Sequence, residues 1–407
     1  MADADLDMSE ALQTMFGGED YYNYDEGYLQ ALHRIMNWEE DLEEDEGNVV
    51  ETLDLTKLNL KTLPTLPKEL MFLDCQDNLL ESLPAELPPN LASLDCERNK
   101  LTALPDLPAS LSSLYCKGNM IESLPALAHT SILRIHAENN RLTKIPDLPA
   151  RLDSLAVDDN MLTELPALPA TITSLYAGRN RLTSVPVLPI ALESLALNDN
   201  RITEFPEFPP NIKTMFLCRN PAPGPLPALP PALEMLTATK LGIKTLPSPL
   251  PPKLDMLRLS HNKLTSVPPL PATLTDLCLA NNRLTHLPSP LPPNLKVISA
   301  VGNLLASLPD EMPATITDFW FDLNQLPYEE EGETLEHYLS EVKRLYAKYR
   351  ARIIERTNIV FEEMMASVWH PDRLVRLIEQ YGSSPQWNHD LQKYVPGFDF
   401  TAMNEVL

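Results

Sequence analysis

The sequence predicts a β-solenoid that is poor in α-helix, in which one short unit recurs and stacks along the chain. Residues 49–327 of the 407-residue chain repeat themselves every 20 or 21 residues. Each unit contains a segment of alternating apolar and polar residues, which is the period of a β-strand with one buried face. Each complete unit also carries a proline at a fixed position. Strands from successive units can therefore stack in parallel, joined by extended returns.

An asparagine just after each predicted strand marks the repeat. The unit reads L-x-(L/C/A)-x-x-N-x-L-x-x-L-P-x-L-P-x-x-L-x-x, as in residues 195–214, where isoleucine and phenylalanine replace some leucines. Leu58 and Leu241 take the asparagine position in two units, which gives fourteen repeats with the last truncated. Because a short amide carries a donor and an acceptor together, it can satisfy backbone groups of the turn. We expect a buried ladder formed by Asn78, Asn99, Asn119, Asn140, Asn160, Asn180, Asn200, Asn220, Asn262, Asn282, Asn303 and Asn324.

Two leucine–proline pairs make up the return path of each unit. The first proline is present in all thirteen complete repeats, from Pro64 to Pro309, and the second is missing only at Ala128. Proline fixes φ and has no N–H to donate, so the return is predicted to be extended or polyproline-like rather than helical. A thin return also suits a repeat that is too short to hold a full helix.

The L-P-x-L-P unit resembles the short-repeat class of leucine-rich repeat proteins. The best-known members of that class are secreted bacterial effectors that act inside host cells, some of them joined to a ubiquitin-ligase domain. The resemblance covers residues 50–327 and implies a curved leucine-rich repeat solenoid, with a parallel β-sheet on the concave face and a polyproline-like convex side. Residues 328–407 lack the nucleophilic cysteine of the ligase domain. The segment Glu362 to Gly382 is instead similar to tails on repeat proteins of large DNA viruses.

The flanks of the repeats are predicted to be helical, apart from an acidic, flexible arm over residues 1–27. Residues 28–48 read as a helical N-terminal cap and acidic linker, because the apolar residues between Leu29 and Met36 fall on one helical face. Residues 328–407 read as a helical C-terminal cap or interaction module. That segment holds the one basic cluster of the sequence: Lys343, Arg344, Lys348, Arg350, Arg352 and Arg356.

The charge of the chain argues against nucleic acid as a partner. The net charge is −25, and residues 1–48 carry fifteen acids and a single base. Affinity for phosphate backbones comes mainly from clustered lysine and arginine, which this composition does not favour.

The cysteines and the N-terminus predict a cytoplasmic-type reducing compartment, such as a host cytoplasm or a virion. The five cysteines are an odd number without CxxC pairs, so neither a disulfide framework nor a zinc site is expected. Cys75, Cys96 and Cys116 take the same buried position in successive repeats and are expected to be reduced core thiols. The acidic first residues do not form a signal peptide, and no apolar run is long enough for a transmembrane segment.

The outward positions of the predicted strands are where binding is expected, because they vary while the buried positions hardly do. The early face is acidic, from Asp54 to Glu97. Exposed aromatic residues anchor many interfaces, although aromatics on a strand surface can also simply pack against each other across the ladder. Trp320 is expected to be covered by the C-terminal helices. The candidate partner-binding residues are Tyr115, His136, Tyr176, Phe216 and Arg258.

The sequence predicts a protein-binding scaffold and not an enzyme. It lacks a Gly-rich phosphate loop and metal-ligand spacing, and the pair His136 and Glu138 is read as an ordinary surface pair, so no catalytic residue, metal or cofactor is predicted. The expected function is to grip one protein partner with the concave face. Two alternatives are a structural component of a virion or other large complex, and a substrate-recruiting adaptor for a ubiquitin ligase.

Overall fold

The computed structural model describes residues 25–44, 52–221, 224–306, 309, 312–321 and 323–324. All of these belong to the first of the two units of the chain, Met1–Pro327. The predictions for the acidic arm up to residue 24, for residues 45–48 and for the segment 328–407 with its basic cluster therefore lie outside the described residues.

Fourteen short parallel strands form a single sheet, and their order in the sheet is their order in the sequence. A helix, α1, Glu26–Glu44, precedes them. The strands are β1 Leu53–Asp54, β2 Phe72–Asp74, β3 Ser93–Asp95, β4 Ser113–Tyr115, β5 Arg134–His136, β6 Ser154–Ala156, β7 Ser174–Tyr176, β8 Ser194–Ala196, β9 Thr214–Phe216, β10 Met235–Thr237, β11 Met256–Arg258, β12 Asp276–Cys278, β13 Val297–Ser299 and β14 Asp318–Trp320.

The returns between strands are extended segments and turns, and helix α1 is the only helix among the residues that the structure describes. Except in the repeat with Ala128, the second proline of the return begins a tight turn. Its carbonyl oxygen accepts a hydrogen bond from the N–H of a leucine or isoleucine three residues later, as between Pro108 and Leu111 at 3.1 Å. The predicted fold, a leucine-rich repeat solenoid with its parallel sheet on the concave face, is confirmed.

Helix α1 covers the open edge of the first strand. Asp25 caps its N-terminus, since its Oδ1 accepts a hydrogen bond from the backbone N–H of Tyr28 at 2.9 Å. On the inner side of the helix, Ala31, Ile35 and Trp38 are buried and join the solenoid core. The Arg34 guanidinium donates a 2.9 Å hydrogen bond to the backbone oxygen of Asp54. The helix thus shields apolar surface that an uncapped solenoid end would expose.

Each strand places its leucines inside the solenoid. In β4, Leu114 is fully buried, as is Cys116 directly after the strand, while Tyr115 between them points outward and is half-buried. The strands pair in register without a slip, so Leu114 lies beside Leu94 on one side and Ile135 on the other. Apolar residues therefore stack into continuous rows, which is why the buried positions tolerate so little variation.

The cysteines of the early strands belong to this core. Cys75, Cys96 and Cys116 are buried free thiols. The Cys75 thiol contacts the backbone oxygen of Asp95 at 3.3 Å, and burial raises the pKa of this thiol well above its ordinary value. They are therefore protonated apolar fillers rather than reactive groups.

Each ladder asparagine ties its own repeat to the preceding one. The Asn180 Oδ1 accepts a hydrogen bond from the N–H of Leu162 at 3.0 Å, and its Nδ2 donates to the oxygens of Val157 at 2.9 Å, Ala177 at 3.3 Å and Gly178 at 3.0 Å. The asparagines from Asn78 to Asn303 repeat this pattern and are buried. Asn324 makes the corresponding bonds at the edge of the described residues and is half-buried.

Leu241 interrupts this ladder, and the next asparagine compensates for it. The Asn262 Oδ1 accepts three backbone hydrogen bonds, from Leu241 at 3.1 Å, Gly242 at 2.9 Å and Ile243 at 3.3 Å. To present these N–H groups, Gly242 adopts a left-handed conformation with φ of 79°. That conformation favours glycine because it lacks a Cβ.

Leu58 replaces asparagine in the first repeat, and again the next asparagine, Asn78, accepts additional backbone hydrogen bonds. The Asn78 Oδ1 accepts hydrogen bonds from the N–H groups of Leu58 and Leu60, both at 3.0 Å. The residue after the leucine, Asn59, is again left-handed, with φ of 56°. Asparagine is the non-glycine residue that most readily adopts this conformation. Both leucine repeats therefore satisfy their backbone in the same way.

Candidate protein-binding surface

The outward face of the sheet carries three parallel rows of side chains. The central row contains the outward residue between the two buried positions of each strand, from Asp54 to Trp320. The downstream row lies two residues later, from Thr56 to Val301, and the upstream row two residues earlier, from Phe72 to Asp318. Neighbouring strands lie about 4.8 Å apart, so side chains in one row contact those of the next repeat.

The predicted aromatic residues all lie in the central row. Tyr115 and His136 pair in register, with ring centroids 5.0 Å apart and an interplanar angle of 66°, an edge-to-face contact. Tyr176 stands between Ala156 and Ala196 in the sheet. The alternative of packing across the ladder therefore applies to Tyr115 and His136.

Small and large side chains alternate in the middle of the central row. Ala156 and Ala196 are only 5% and 6% exposed although they point outward, because larger side chains on both sides overhang them. Tyr176 and Phe216 are half-buried and stand above these alanines. The middle of the central row is therefore an apolar strip in which the larger side chains project and are available for contact.

Arg258, the last of the predicted binding residues, is exposed but forms an ion pair with Asp276. Its Nη2 lies 2.9 Å from Oδ2 of Asp276, and its Nε lies 3.4 Å from Oδ1 of the same carboxylate. The pair joins the central row of β11 to the upstream row of β12. The two charges offset each other, so Arg258 does not give this part of the face a positive charge.

The downstream row of the early strands carries partly buried carboxylates. Burial raises the pKa of Asp158 to about 6, and that of Asp95 in the central row also to about 6. Burial likewise raises the pKa of Glu97. Glu138 has one oxygen 4.0 Å from the Lys117 ammonium, and its other oxygen is buried without a hydrogen-bond partner.

Gly178 allows two polar side chains to close over the downstream row. Its N–H donates a 2.8 Å hydrogen bond to Oδ1 of Asp158. A Cβ at this position would lie 2.7 Å from that oxygen and 2.9 Å from Oδ1 of Asn198. A side chain at residue 178 would therefore displace the Asp158 carboxylate.

Ion pairs between successive repeats line the rim beside the downstream row. Each involves the residue that precedes a ladder asparagine, as in Arg179 with Asp159 at 2.6 Å and Arg219 with Asp199 at 2.7 Å. Arg98 lies 2.5 Å from Asp77 in the same way. These residues all have a left-handed backbone conformation.

The upstream row was not singled out from the sequence. In the later strands it includes Met235 and Met256, and Thr214 and Met235 line a shallow open groove of about 390 Å³ with Glu234, Lys253 and Asp255 among its walls. The alternation that predicted the other two rows extends one step further back in each repeat, so the signal for this third row was present in the sequence.

Among the residues that the structure describes, no group of three or more histidine, cysteine, aspartate or glutamate side chains could hold a metal ion.

Within the same part of the chain, no helix has the length and apolar character needed to cross a membrane.

The repeat, the buried asparagine ladder and the outward sheet define a leucine-rich repeat protein of the short-repeat class, a fold that presents an extended concave surface to binding partners. YopM from Yersinia enterocolitica WA-314 is 33% identical, with a TM-score of 0.65, over 79% of this chain and 75% of that one. YopM from Yersinia pestis, a leucine-rich effector protein, is 32% identical, with a TM-score of 0.59, over 72% of this chain and 92% of that one. No protein-family model and no curated protein matches the chain. The chain belongs to the YopM family of leucine-rich repeat proteins.

Proposed function

We propose that the chain is a non-catalytic scaffold that binds one protein partner on the concave face of its sheet. The observation that carries the proposal is the difference between the two sides of each strand. The buried side repeats leucine with little change, whereas the outward side changes from strand to strand and includes half-buried aromatics such as Tyr115, Tyr176 and Phe216. A surface that packing leaves free to vary is where specific recognition can be built.

The chemistry of the outward face also suits a protein partner. Tyrosine and phenylalanine offer large contact area at a low cost in side-chain entropy, and they are enriched where interfaces are buried. The relative from Yersinia pestis is a leucine-rich effector protein, and a role that acts through binding agrees with that description. The predicted adaptor and assembly roles are alternatives that depend on residues 328–407.

Affinity capture with the full-length chain as bait in its native setting, followed by quantitative mass spectrometry, tests the proposal. The test variant is Tyr176→Ala with Phe216→Ala. The matched control is Val187→Ala with Ile190→Ala, which removes two apolar side chains that are 87% and 69% exposed in a return segment. We expect the captured partner to be lost with the first variant and kept with the second.

The opposite pattern would contradict binding on the concave face. Equal capture by all variants would do the same. Loss of the partner only when residues 328–407 are removed would favour the assembly or adaptor alternatives instead.

A further inference from the structure

The outward face is divided by charge into two parts. The acidic half comprises the three rows on β2–β6, and the neutral half comprises the three rows on β9–β13. The neutral half has a single acid and a single base, Asp276 and Arg258, which pair with each other. The acidic half has five acids and two bases, a net charge of −3: Asp74, Asp95, Glu97, Glu138 and Asp158 against Lys117 and Arg134.

The carboxylates of the acidic half are incompletely neutralised within the solenoid. One oxygen of Glu138 has no hydrogen-bond partner, and Lys117 approaches the other only to 4.0 Å. The nearby rim arginine Arg179 is held by Asp159 at 2.6 Å, outside the three rows. Glu97 has a cation at 2.9 Å, the guanidinium of Arg98, but it shares this group with the ion pair on the rim. A partly buried carboxylate without a close cation is destabilised, so a cationic group brought by a partner would be bound favourably.

Aromatic rings lie directly beside these carboxylates. The Tyr115 and His136 pair occupies β4 and β5, between Glu97 on β3 and Asp158 on β6. A guanidinium can bind a carboxylate through paired hydrogen bonds and stack on an aromatic face. The combination therefore suits arginine and lysine side chains better than a bare metal ion.

The length of the acidic half points to a chain segment as the occupant. The groups from Glu97 to Asp158 span three strand spacings, roughly 14 Å. An extended peptide covers that distance with about four or five residues, whereas one small cation contacts a single strand pair.

We propose that the acidic half binds a lysine- and arginine-rich segment of the protein partner. This inference rests on the proposed function and adds the chemistry of the partner to it. The segment lies across β3–β6, with its cations on Glu97, Glu138 and Asp158 and its neighbouring side chains against Tyr115 and His136.

The test measures the affinity of the full-length chain for a fluorescein-labelled peptide of alternating lysine and arginine, by fluorescence anisotropy at low salt. The test variant carries Glu97→Gln, Glu138→Gln and Asp158→Asn. Asn at residue 158 keeps an oxygen that can accept the Gly178 hydrogen bond. The matched control carries Glu122→Gln, Asp147→Asn and Glu164→Gln, which neutralises three exposed carboxylates on the return segments and changes the net charge by the same amount.

We expect the test variant to weaken binding about tenfold, since each partly exposed charge pair contributes a few-fold, and the control to change it less than about twofold. Circular dichroism of each variant verifies that it is folded. If the two triple variants weaken binding equally, the peptide is attracted by overall charge alone and the inference is wrong. If neither variant has an effect, it is also wrong. The proposed function stands in both cases if Tyr176→Ala with Phe216→Ala still abolishes capture of the native partner.

Discussion

The acidic half and the neutral half of the concave face rest on the same buried framework and display different chemistry. In both, leucines fill the same inward positions and asparagines bond the same backbone groups, as at Asn140 and Asn282. Outward, the acidic half presents carboxylates and an aromatic pair, whereas the neutral half presents methionines and one closed ion pair. Packing therefore determines the inward side of each strand and leaves the outward side free to vary.

Breaking the shared framework should have the largest effect, and it should differ between the halves. Asn140 accepts one backbone hydrogen bond, from Ile121 at 3.0 Å, whereas Asn262 accepts three beside Leu241. Each buried group left without a partner costs about 1–3 kcal/mol, so we expect Asn140→Ala to lower the free energy of unfolding by about 3 kcal/mol and Asn262→Ala by about 4 kcal/mol. Urea unfolding of the full chain measures both. Equal losses would show that the extra bonds at Asn262 contribute nothing.

A smaller loss of stability should result from replacing Gly242, the left-handed residue that follows Leu241 in the neutral half. The Cβ position of Gly242 has no atom within 4 Å, so a side chain there meets backbone strain and no clash. With φ of 79° at this residue, Gly242→Val should cost about 1–2 kcal/mol. The control is Lys263→Val, at the equivalent position after Asn262, where the backbone is not left-handed. A comparable loss in the control would argue against the strain explanation.

The smallest effect is the pH dependence of stability that arises from carboxylates of the acidic half. Burial raises the pKa of Asp158 to about 6, with Glu138 and Asp159 raising it further and Arg179 and the Gly178 N–H lowering it. A carboxyl whose pKa is higher in the folded state than in the unfolded state binds its proton more tightly when folded. Its contribution to stability is therefore full below the unfolded value of 3.8 and is lost as the pH rises through about 6.

Asp95 behaves in the same way. Burial is the largest cause of its raised pKa, Glu97 and Asp74 raise the pKa further, and Arg98 and the Glu97 N–H lower it. Lowering the pH from 7 to 5 should therefore raise the melting temperature of the wild-type chain. In a variant with Asp95→Asn and Asp158→Asn, this increase should be smaller. The double variant measures the contribution of the other ionisable groups, so its difference from the wild-type chain isolates Asp95 and Asp158. An unchanged difference between the two pH values would contradict the assigned cause.

Most of the framework could be predicted from the sequence because it repeats. The period, the strands, the proline returns and the asparagine positions are each set by local constraints that recur in every unit, so one repeat predicts the next. The left-handed residues at Asn59 and Gly242 were not predicted, because they follow from the backbone bonds that Leu58 and Leu241 cannot make. That requirement becomes visible only when neighbouring repeats are stacked.

The outward face was predicted less completely, because its interactions join residues of different repeats. Arg258 was expected to be a partner-binding residue, but its ion pair with Asp276 was not predicted, because that pair depends on the register of β11 and β12. The buried oxygen of Glu138 and the covered alanines depend in the same way on side chains from adjacent strands. The outward positions of the repeat predicted an acidic early face, but how deeply its carboxylates are buried could be seen only in the packed structure.

Cross-linking with a carbodiimide shows where a basic partner meets the face. The reagent activates a carboxylate, and a lysine amine in contact with it then displaces the urea and forms an amide bond. The full-length chain is treated with the lysine–arginine peptide, and the linked carboxylates are mapped by mass spectrometry. We predict cross-links at Asp95, Glu97, Glu138 or Asp158. Cross-links confined to the acidic residues 1–48 or to Glu122, Asp147 and Glu164 on the return segments would contradict it.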